Sequence, residues 1–300
     1  MSANLIVAAT DGSEESLRAV EWAAREALHH SVRLRIVSAA ALLPRMFDRQ
    51  EVPSPGTVTD ARGQDRDRAL TAAAGRAAAM APGLRVDTGR LAGPPAQAVT
   101  RSGSGALMLV VGSRGIGAFT AMVLGSVSRY AATHASCPVV VVRDESAALH
   151  QQVGVGIGDL DNCTDALAFA CEEAALRGAS LTAVHAWRPR QPDFSRAGQA
   201  LAAPGAAEAE AEIATQLAEL LDDWRAKYPD VPISQEIVPG HPGRTLVGLS
   251  ARVGLVVIGR HLRHLRHPGA PGLGAVTHAV LNHAHGPVVT VPAGLDHAPA

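Results

Sequence analysis

Short, almost wholly apolar runs recur along the chain, and between them lie longer segments whose apolar residues return every three or four positions. Runs such as 107–111 and 255–258 have no polar face, as expected of strands buried on both sides of a sheet. The pattern predicts strands over 5–10, 33–39, 84–89, 106–111 and 139–143, with helices over 14–29, 63–80, 95–103 and 124–135 between them. A loop rich in Pro, Ala and Gly fills 40–62. The second half predicts strands over 153–157, 180–186, 233–238, 255–259 and 288–292, and helices over 163–177, 206–227, 242–251 and 275–284. Its matching loop spans 188–204. Helix starts carry capping residues: Ser13 followed by Glu14 and Glu15, and Thr164 followed by Asp165.

The two halves are copies. A shift of 147 residues places Trp22 on Phe169, Glu26 on Glu173, Leu34 on Leu181 and the run 110–112 on 257–259. After an insertion of two residues the shift is 149, and Pro138 falls on Pro287. A period this long means duplicated domains rather than a solenoid. The boundary falls in the polar stretch near 144–151, so the domains are expected at 1–146 and 147–300. Alternating strands and helices give parallel sheets with right-handed crossovers. The fold class expected is therefore α/β, as two tandem doubly wound parallel-sheet domains, each with a ligand crevice at the carboxyl ends of its strands.

Composition narrows the chemistry. Aromatics are only 3% of a chain that is 47% hydrophobic, so Val, Leu, Ile and Ala must build the cores. Formal net charge is −1, which gives no global attraction to nucleic acid or an anionic membrane. Lys227 is the sole lysine and lies outside any Gly-rich loop, so a Walker-type P-loop is excluded. Cys137, Cys163 and Cys171 form no CxxC pair, which suits a reducing compartment. No leader-like segment and no membrane-length apolar run is seen, and a cytoplasmic location is expected.

Two places carry candidate chemistry. Gly112-Ser113-Arg114-Gly115, nine further residues, then Gly125-Ser126 begin at the end of one apolar strand and finish at the start of a helix. Glycines admit close approach of an anion, and free helix N–H groups then meet it. Ser126 can donate its hydroxyl to a terminal phosphate and Arg114 can add charge; a plain turn with a helix cap would also explain the run. Asp11, at the end of the first strand, can accept hydrogen bonds from ribose hydroxyls, act as a helix cap, or do both.

These residues, with Ile6 through Ser13, the Gly93-x-Pro95 element and the closing Cys137 to Val142, resemble the universal stress protein family over nearly the whole chain. The spacing G-x2-G-x9-G-[ST] marks that family's ATP-binding branch, and every position of it is matched. The resemblance implies ATP, with Mg2+ as its companion ion, in the first domain. It implies Asp11 beside ribose and adenine, and the backbone around Ala39 at the adenine edge. Gly112, Gly115 and Gly125 would shape the phosphate loop, with Ser126, Val127 and Ser128 at the phosphates. Ser113 and Arg114 are less defined and would equally face solvent. Strands 139–143 and 288–292 would pair, within one chain or in a homodimer.

The second copy departs from this pattern. Gly158 stands where Asp11 would, with Asp159 one residue late, and Leu262 replaces the second glycine. Ala275 replaces the serine if Gly274 aligns with Gly125; anchoring on Gly272 instead puts Leu273 there. Either way two contacts are lost, each worth ~1.5–3 kcal/mol, so binding should weaken by at least ~100-fold. The run Arg260 to His267 places His261, His264 and His267 three apart, without the converging ligands of a metal site. It reads as a basic solvated loop, or as arginines for a phosphate or an acidic partner. The expected function is nucleotide-dependent regulation in a stress response, without fast turnover. A slow ATPase and a non-nucleotide dimerisation protein remain the alternatives.

Overall fold

The protein's structure, a computed structural model, describes residues 4–39, 55–115, 124–143, 151–188, 206–260 and 273–294, with 55–62 and 206 described by backbone alone. The first half runs β1 (Leu5–Ala9), α1 (Glu14–His29), β2 (Arg33–Ala39), α2 (Pro55–Met80), β3 (Val86–Leu91), α3 (Pro95–Ser102), β4 (Met108–Gly112), α4 (Ser126–His134) and β5 (Val139–Val142). The second half runs β6 (Gln152–Ile157), α5 (Thr164–Arg177), β7 (Ser180–Trp187), α6 (Ala206–Lys227), β8 (Ile233–Pro239), α7 (Pro242–Ser250), β9 (Leu255–Arg260), α8 (Ala275–His283) and β10 (Val288–Pro292). The expected elements are present. The main shift is α2, which starts at Pro55 rather than 63. Its first residues read as loop by composition, yet proline's fixed φ suits a helix's first position. Thr164 is the first residue of α5 rather than its cap, since Cys163 holds that place. The predicted boundary at 144–150 lies outside the described residues.

The strands form one ten-stranded sheet in the order β3-β2-β1-β4-β5-β10-β9-β6-β7-β8. Every neighbouring pair is parallel except β5 and β10, which run antiparallel with Val140 opposite Val289. Each five-stranded half is doubly wound. Pairing β5 with β10 removes the edge that each half would otherwise expose. Alternation along the strands splits the core in two. Ile6 and Ala8 face the side covered by α1, α2, α5 and α6; Val7 and Ala9 face α3, α4, α7 and α8. Both cores run through both halves.

Charged side chains also cross the junction. On one face, α1 and α5 meet through a charged cluster at repeat-equivalent positions. Arg177 Nη2 lies 2.7 Å from Glu26 Oε2, Arg177 also pairs with Glu173, and His30 Nε2 lies 3.0 Å from Glu173 Oε1. Ligand atoms of Glu26, His30 and Glu173 lie within 4.8 Å of one another, but the Arg177 guanidinium already bridges both carboxylates. On the other face, each half caps a helix of its partner. Arg260 of β9 donates to the carbonyls of Ala132 and Ala135 at the end of α4 (3.3 and 2.6 Å), and Arg143 donates to the Asn282 carbonyl at the end of α8. These carbonyls have no partners within their own helices.

The cysteines are packing groups. All three are buried and free, and burial pushes the thiols of Cys137 and Cys163 to about 11 and that of Cys171 to about 12. Thiols held so far from ionisation are poor nucleophiles.

Burial alone would raise the Glu173 pKa, but the Arg177 charge and the His30 hydrogen bond outweigh it and hold the carboxyl below its ordinary value. Its contribution to stability is therefore complete above the ordinary carboxylate value, ~4.3, and is lost as pH falls through the lowered folded value. Arg177→Met should destabilise the protein by about 3–5 kcal/mol at pH 7 in urea denaturation, because it leaves a carboxylate buried without its cation. The deficit should shrink as pH falls toward and through the ordinary carboxylate range, because without Arg177 burial favours the protonated carboxyl. A deficit that does not change with pH would show that lost packing, not charge, sets it.

Candidate functional site

The first half's crevice opens between the carboxyl ends of β1 and β4, where the chain leaves for helices on opposite faces of the sheet. The strand end and α1 almost touch. A Cβ on Gly112 would lie 2.9 Å from the carbonyl carbon and oxygen of Glu15, so glycine is required by the approach of two backbones. At the end of β1, Asp11 Oδ1 accepts from Ser13 N (3.0 Å) and Ser13 Oγ (2.6 Å). Ser13 is the cap of α1, its hydroxyl accepting from Ser16 N at 3.3 Å. Asp11 thus braces the cap without being it. Its other oxygen lies against Gly115, where a Cβ would come within 2.3 Å of Oδ2. The fold therefore brings Asp11 and Gly115 into contact.

Gly125 is the N-cap of α4, and its N–H donates to the Ser113 carbonyl at 2.9 Å. Among the described residues no side chain caps the first turn of α4, and Ser126 is exposed there. Free first-turn amides beside an exposed hydroxyl form a donor set suited to an anion. Val127 is half-buried in the same turn. Ser128 is not available to a ligand: it is buried, and its Oγ donates to the Gly112 carbonyl at 2.6 Å. Ser113 and Arg114 do not simply face solvent. Ser113 is buried with its N–H on the Val142 carbonyl (2.9 Å), and Arg114 lies 3.6 Å from Glu15. Ala39 ends β2, opposite Leu91 and one strand away from Asp11. Residues 116–123, the middle of the glycine loop, lie outside the described residues.

One contact to this corner could not be read from sequence. The Leu124 N–H donates to Asn282 Oδ1 at 2.9 Å, in a buried bond between the two halves. Asn282 is itself held at both ends: its Nδ2 donates to His278 O (2.7 Å), and its carbonyl accepts from Arg143. The repeat-equivalent of Asn282 is Thr133, which bonds back to Arg129 O in its own helix. Thr133 thus turns back on its own helix where Asn282 reaches across to the other half.

The second half's corner is built differently. Gly158 supplies no carboxylate, and Asp159 turns into its own 3-10 turn, accepting from Asp161 N and Asn162 Nδ2. Gly274 caps α8 with the same backbone as Gly125 at α4 (φ −59, ψ 152 against φ −60, ψ 154), so Ala275 takes the place of Ser126. Arg260 falls where the first half has Ser113, and it is committed to α4 rather than to a basic surface loop. His261, His264, His267, Arg263 and Arg266 lie outside the described residues.

Comparison with known proteins agrees with this architecture. The sequence profile of the universal stress protein family matches residues 4–143 and again 150–292. A universal stress protein of Mycobacterium tuberculosis is 34% identical over 300 residues, covering 95% of each chain. One from Mycolicibacterium smegmatis is 32% identical over 303 residues, covering 95% of this chain and 96% of that one. Among solved structures, a universal stress protein from Archaeoglobus fulgidus superposes with a TM-score of 0.70 over 97% of this chain and 99% of its own, at 17% identity, a likeness of fold.

Two variants probe the corner. Gly112→Ala should destabilise the protein by about 1–3 kcal/mol, because rigid backbone must shift to admit the methyl. Asn282→Ala should cost about 1–3 kcal/mol by leaving a buried N–H unpaired. It should also accelerate hydrogen exchange at the Leu124 amide. Unchanged exchange there would mean that the second half does not support the loop.

Proposed function

The chain belongs to the universal stress protein family, and from that premise we propose that its first domain binds ATP as the input to a regulatory function. The observation that carries the reading is the corner itself. Asp11 is braced by Ser13 and pressed against Gly115, while uncapped amides of α4 and the exposed Ser126 stand at the other side. In this reading Asp11 accepts from the ribose and the backbone at Ala39 meets the adenine edge. Gly112, Gly115 and Gly125 let the chain wrap the phosphates. Ser126, with Arg114 behind it, supplies donors and charge. Mg2+ would neutralise part of the phosphate charge when bound with the nucleotide.

A carboxylate already engaged in holding a helix cap is poorly disposed to accept a proton from water. That supports binding over turnover, and a regulatory role over an ATPase. The second domain lacks the carboxylate and the hydroxyl, so one nucleotide per chain is the stoichiometry proposed. The partition into domains 1–146 and 147–300 is part of the same proposal, as is a cytoplasmic setting. No helix among the described residues is long and apolar enough to cross a membrane.

Calorimetric titration with ATP and Mg2+ should give close to one site per chain. Asp11→Ala and Ser126→Ala should each weaken binding by roughly 10–100-fold, the loss of one hydrogen bond involving a charged group. Phosphate release by the wild-type protein should stay at background. Two equal sites would overturn the assignment of the second domain. Release abolished by Asp11→Ala would move the protein to the ATPase reading.

A further inference from the structure

The helix whose first turn borders the glycine loop, α4, is held at both ends by the other half of the chain. At its start, the Leu124 N–H donates to Asn282 Oδ1 at 2.9 Å. At its finish, Arg260 donates to the carbonyls of Ala132 and Ala135 at 3.3 and 2.6 Å. We propose that the second half is a built-in positioning partner for the first: Asn282 and Arg260 fix the aim of α4 and thereby set the affinity of the first half's site for nucleotide. The proposal rests on the nucleotide reading for the identity of the ligand, and on the clamp around α4 for the rest.

Length is the first argument. α4 has nine residues. Helices shorter than about 12–15 residues are marginal in water by themselves, so tertiary contacts must hold α4 in place. Its own half ties its first turn by two hydrogen bonds, Gly125 N–H to the Ser113 carbonyl at 2.9 Å and Ser128 Oγ to the Gly112 carbonyl at 2.6 Å. The last carbonyls of a helix have no partners within it. Among the described residues it is Arg260, from the other half, that meets those of Ala132 and Ala135.

Packing is the second. The seam beside Asn282 is not filled: a cavity of about 290 Å³ opens there, lined by Ser113 and Val142 of the first half and by Asn282 and Ala284 of the second. Close packing therefore does not fix the start of α4 against the second half at this point, and the Asn282 bond does. Both clamping side chains are buried. The Asn282 amide is also oriented from its own helix, since Nδ2 donates to the His278 carbonyl at 2.7 Å.

Asymmetry is the third. Thr133 and Ser113 stand where the repeat would place Asn282 and Arg260, so the clamp is not a product of the duplication. The counterpart helix, α8, is held at its end by Arg143, but among the described residues no side chain of the first half caps its start. Hydrogen bonds weaken steeply as they bend. The first-turn amides of α4 move as one frame, so a tilt of the helix re-aims all of them at an anion together.

The test combines hydrogen exchange with calorimetric titration of ATP and Mg2+ on the full chain. Asn282→Ala and Arg260→Met release opposite ends of α4. Each should accelerate exchange at the Arg129 amide, which closes the first turn on the Gly125 carbonyl at 2.9 Å. The rate is read relative to the buried amides of β1, which removes any change in global stability. Each variant should also weaken ATP binding by about three- to tenfold, the scale of one neutral hydrogen bond. Arg177→Met is the control. It loosens the seam on the opposite face of the sheet without touching α4, and should leave the exchange ratio and the ATP affinity at wild-type values. ATP affinity unchanged in both clamp variants, or reduced as much by Arg177→Met, overturns the proposal. A wild-type chain that binds no ATP overturns the nucleotide reading instead. The clamp is then judged by the exchange ratio, which needs no ligand, and an unchanged ratio in both variants sinks it.

Discussion

The antiparallel pairing of β5 with β10 governs how everything else meets. Within each half the strands are parallel, so all carboxyl ends, and the crevice they form, point one way. Joining the halves antiparallel turns the second half over. The carboxyl end of β5 then lies beside the amino end of β10, and the helix that leads into β10 is α8. The end of α8 is therefore delivered to the tips of β4 and β5, where the glycine loop begins. By the same operation the end of α4 is delivered to the tip of β9. Helix ends carry unpaired carbonyls, and at each meeting point an arginine from the opposite half donates to them: Arg143 at α8 and Arg260 at α4.

The arginines that do this are not repeat equivalents. One follows β5 and the other ends β9. The duplication supplied the geometry, and the two copies then filled it separately. In the first half, the position after β4 stays small as Ser113, and the tip of the strand remains open to the cavity. In the second, Arg260 occupies that position and is buried against α4. Asn282 and Thr133 diverge in the same sense, one reaching across to Leu124 and the other turned back on its own helix. The second domain lacks counterparts of the Asp11 carboxylate and the Ser126 hydroxyl, and its side chains support the corner of the first.

What was legible in sequence follows from the range of the interactions. Strands buried on both faces, such as 107–111, declare themselves by lacking any polar position, and the repeat fixes the order of elements twice. Asp11 and the glycine spacing are visible because backbone approach demands glycine itself at Gly112, while at Gly115 a Cβ would meet the Asp11 carboxylate. The start of α2 was not legible, since Pro55 to Arg62 has the composition of a loop and is helical by context. Nor was the inward turn of Ser128, whose hydroxyl has a carbonyl within reach only once β4 and α4 are packed. Arg260 read as part of a solvated basic run because its partners, Ala132 and Ala135, lie in the other half. The Asn282 contact had no local signal at all: the two groups lie 158 residues apart in sequence and meet only across the β5–β10 seam.

This arrangement couples the glycine loop to the junction between the two halves. The glycine loop is tied at one end to Ser113 through Gly125 and, one residue earlier, to the second domain through Leu124. A ligand that favours the loop in this geometry must also favour the domain contact that holds it there, by the same coupling free energy. A bound ligand present well above its dissociation constant stabilises that state by a few kcal/mol. That is comparable to the net worth of the buried bonds around Asn282. Occupancy of the corner and firmness of the junction are thus of matched size, the condition under which binding at one reports on the other.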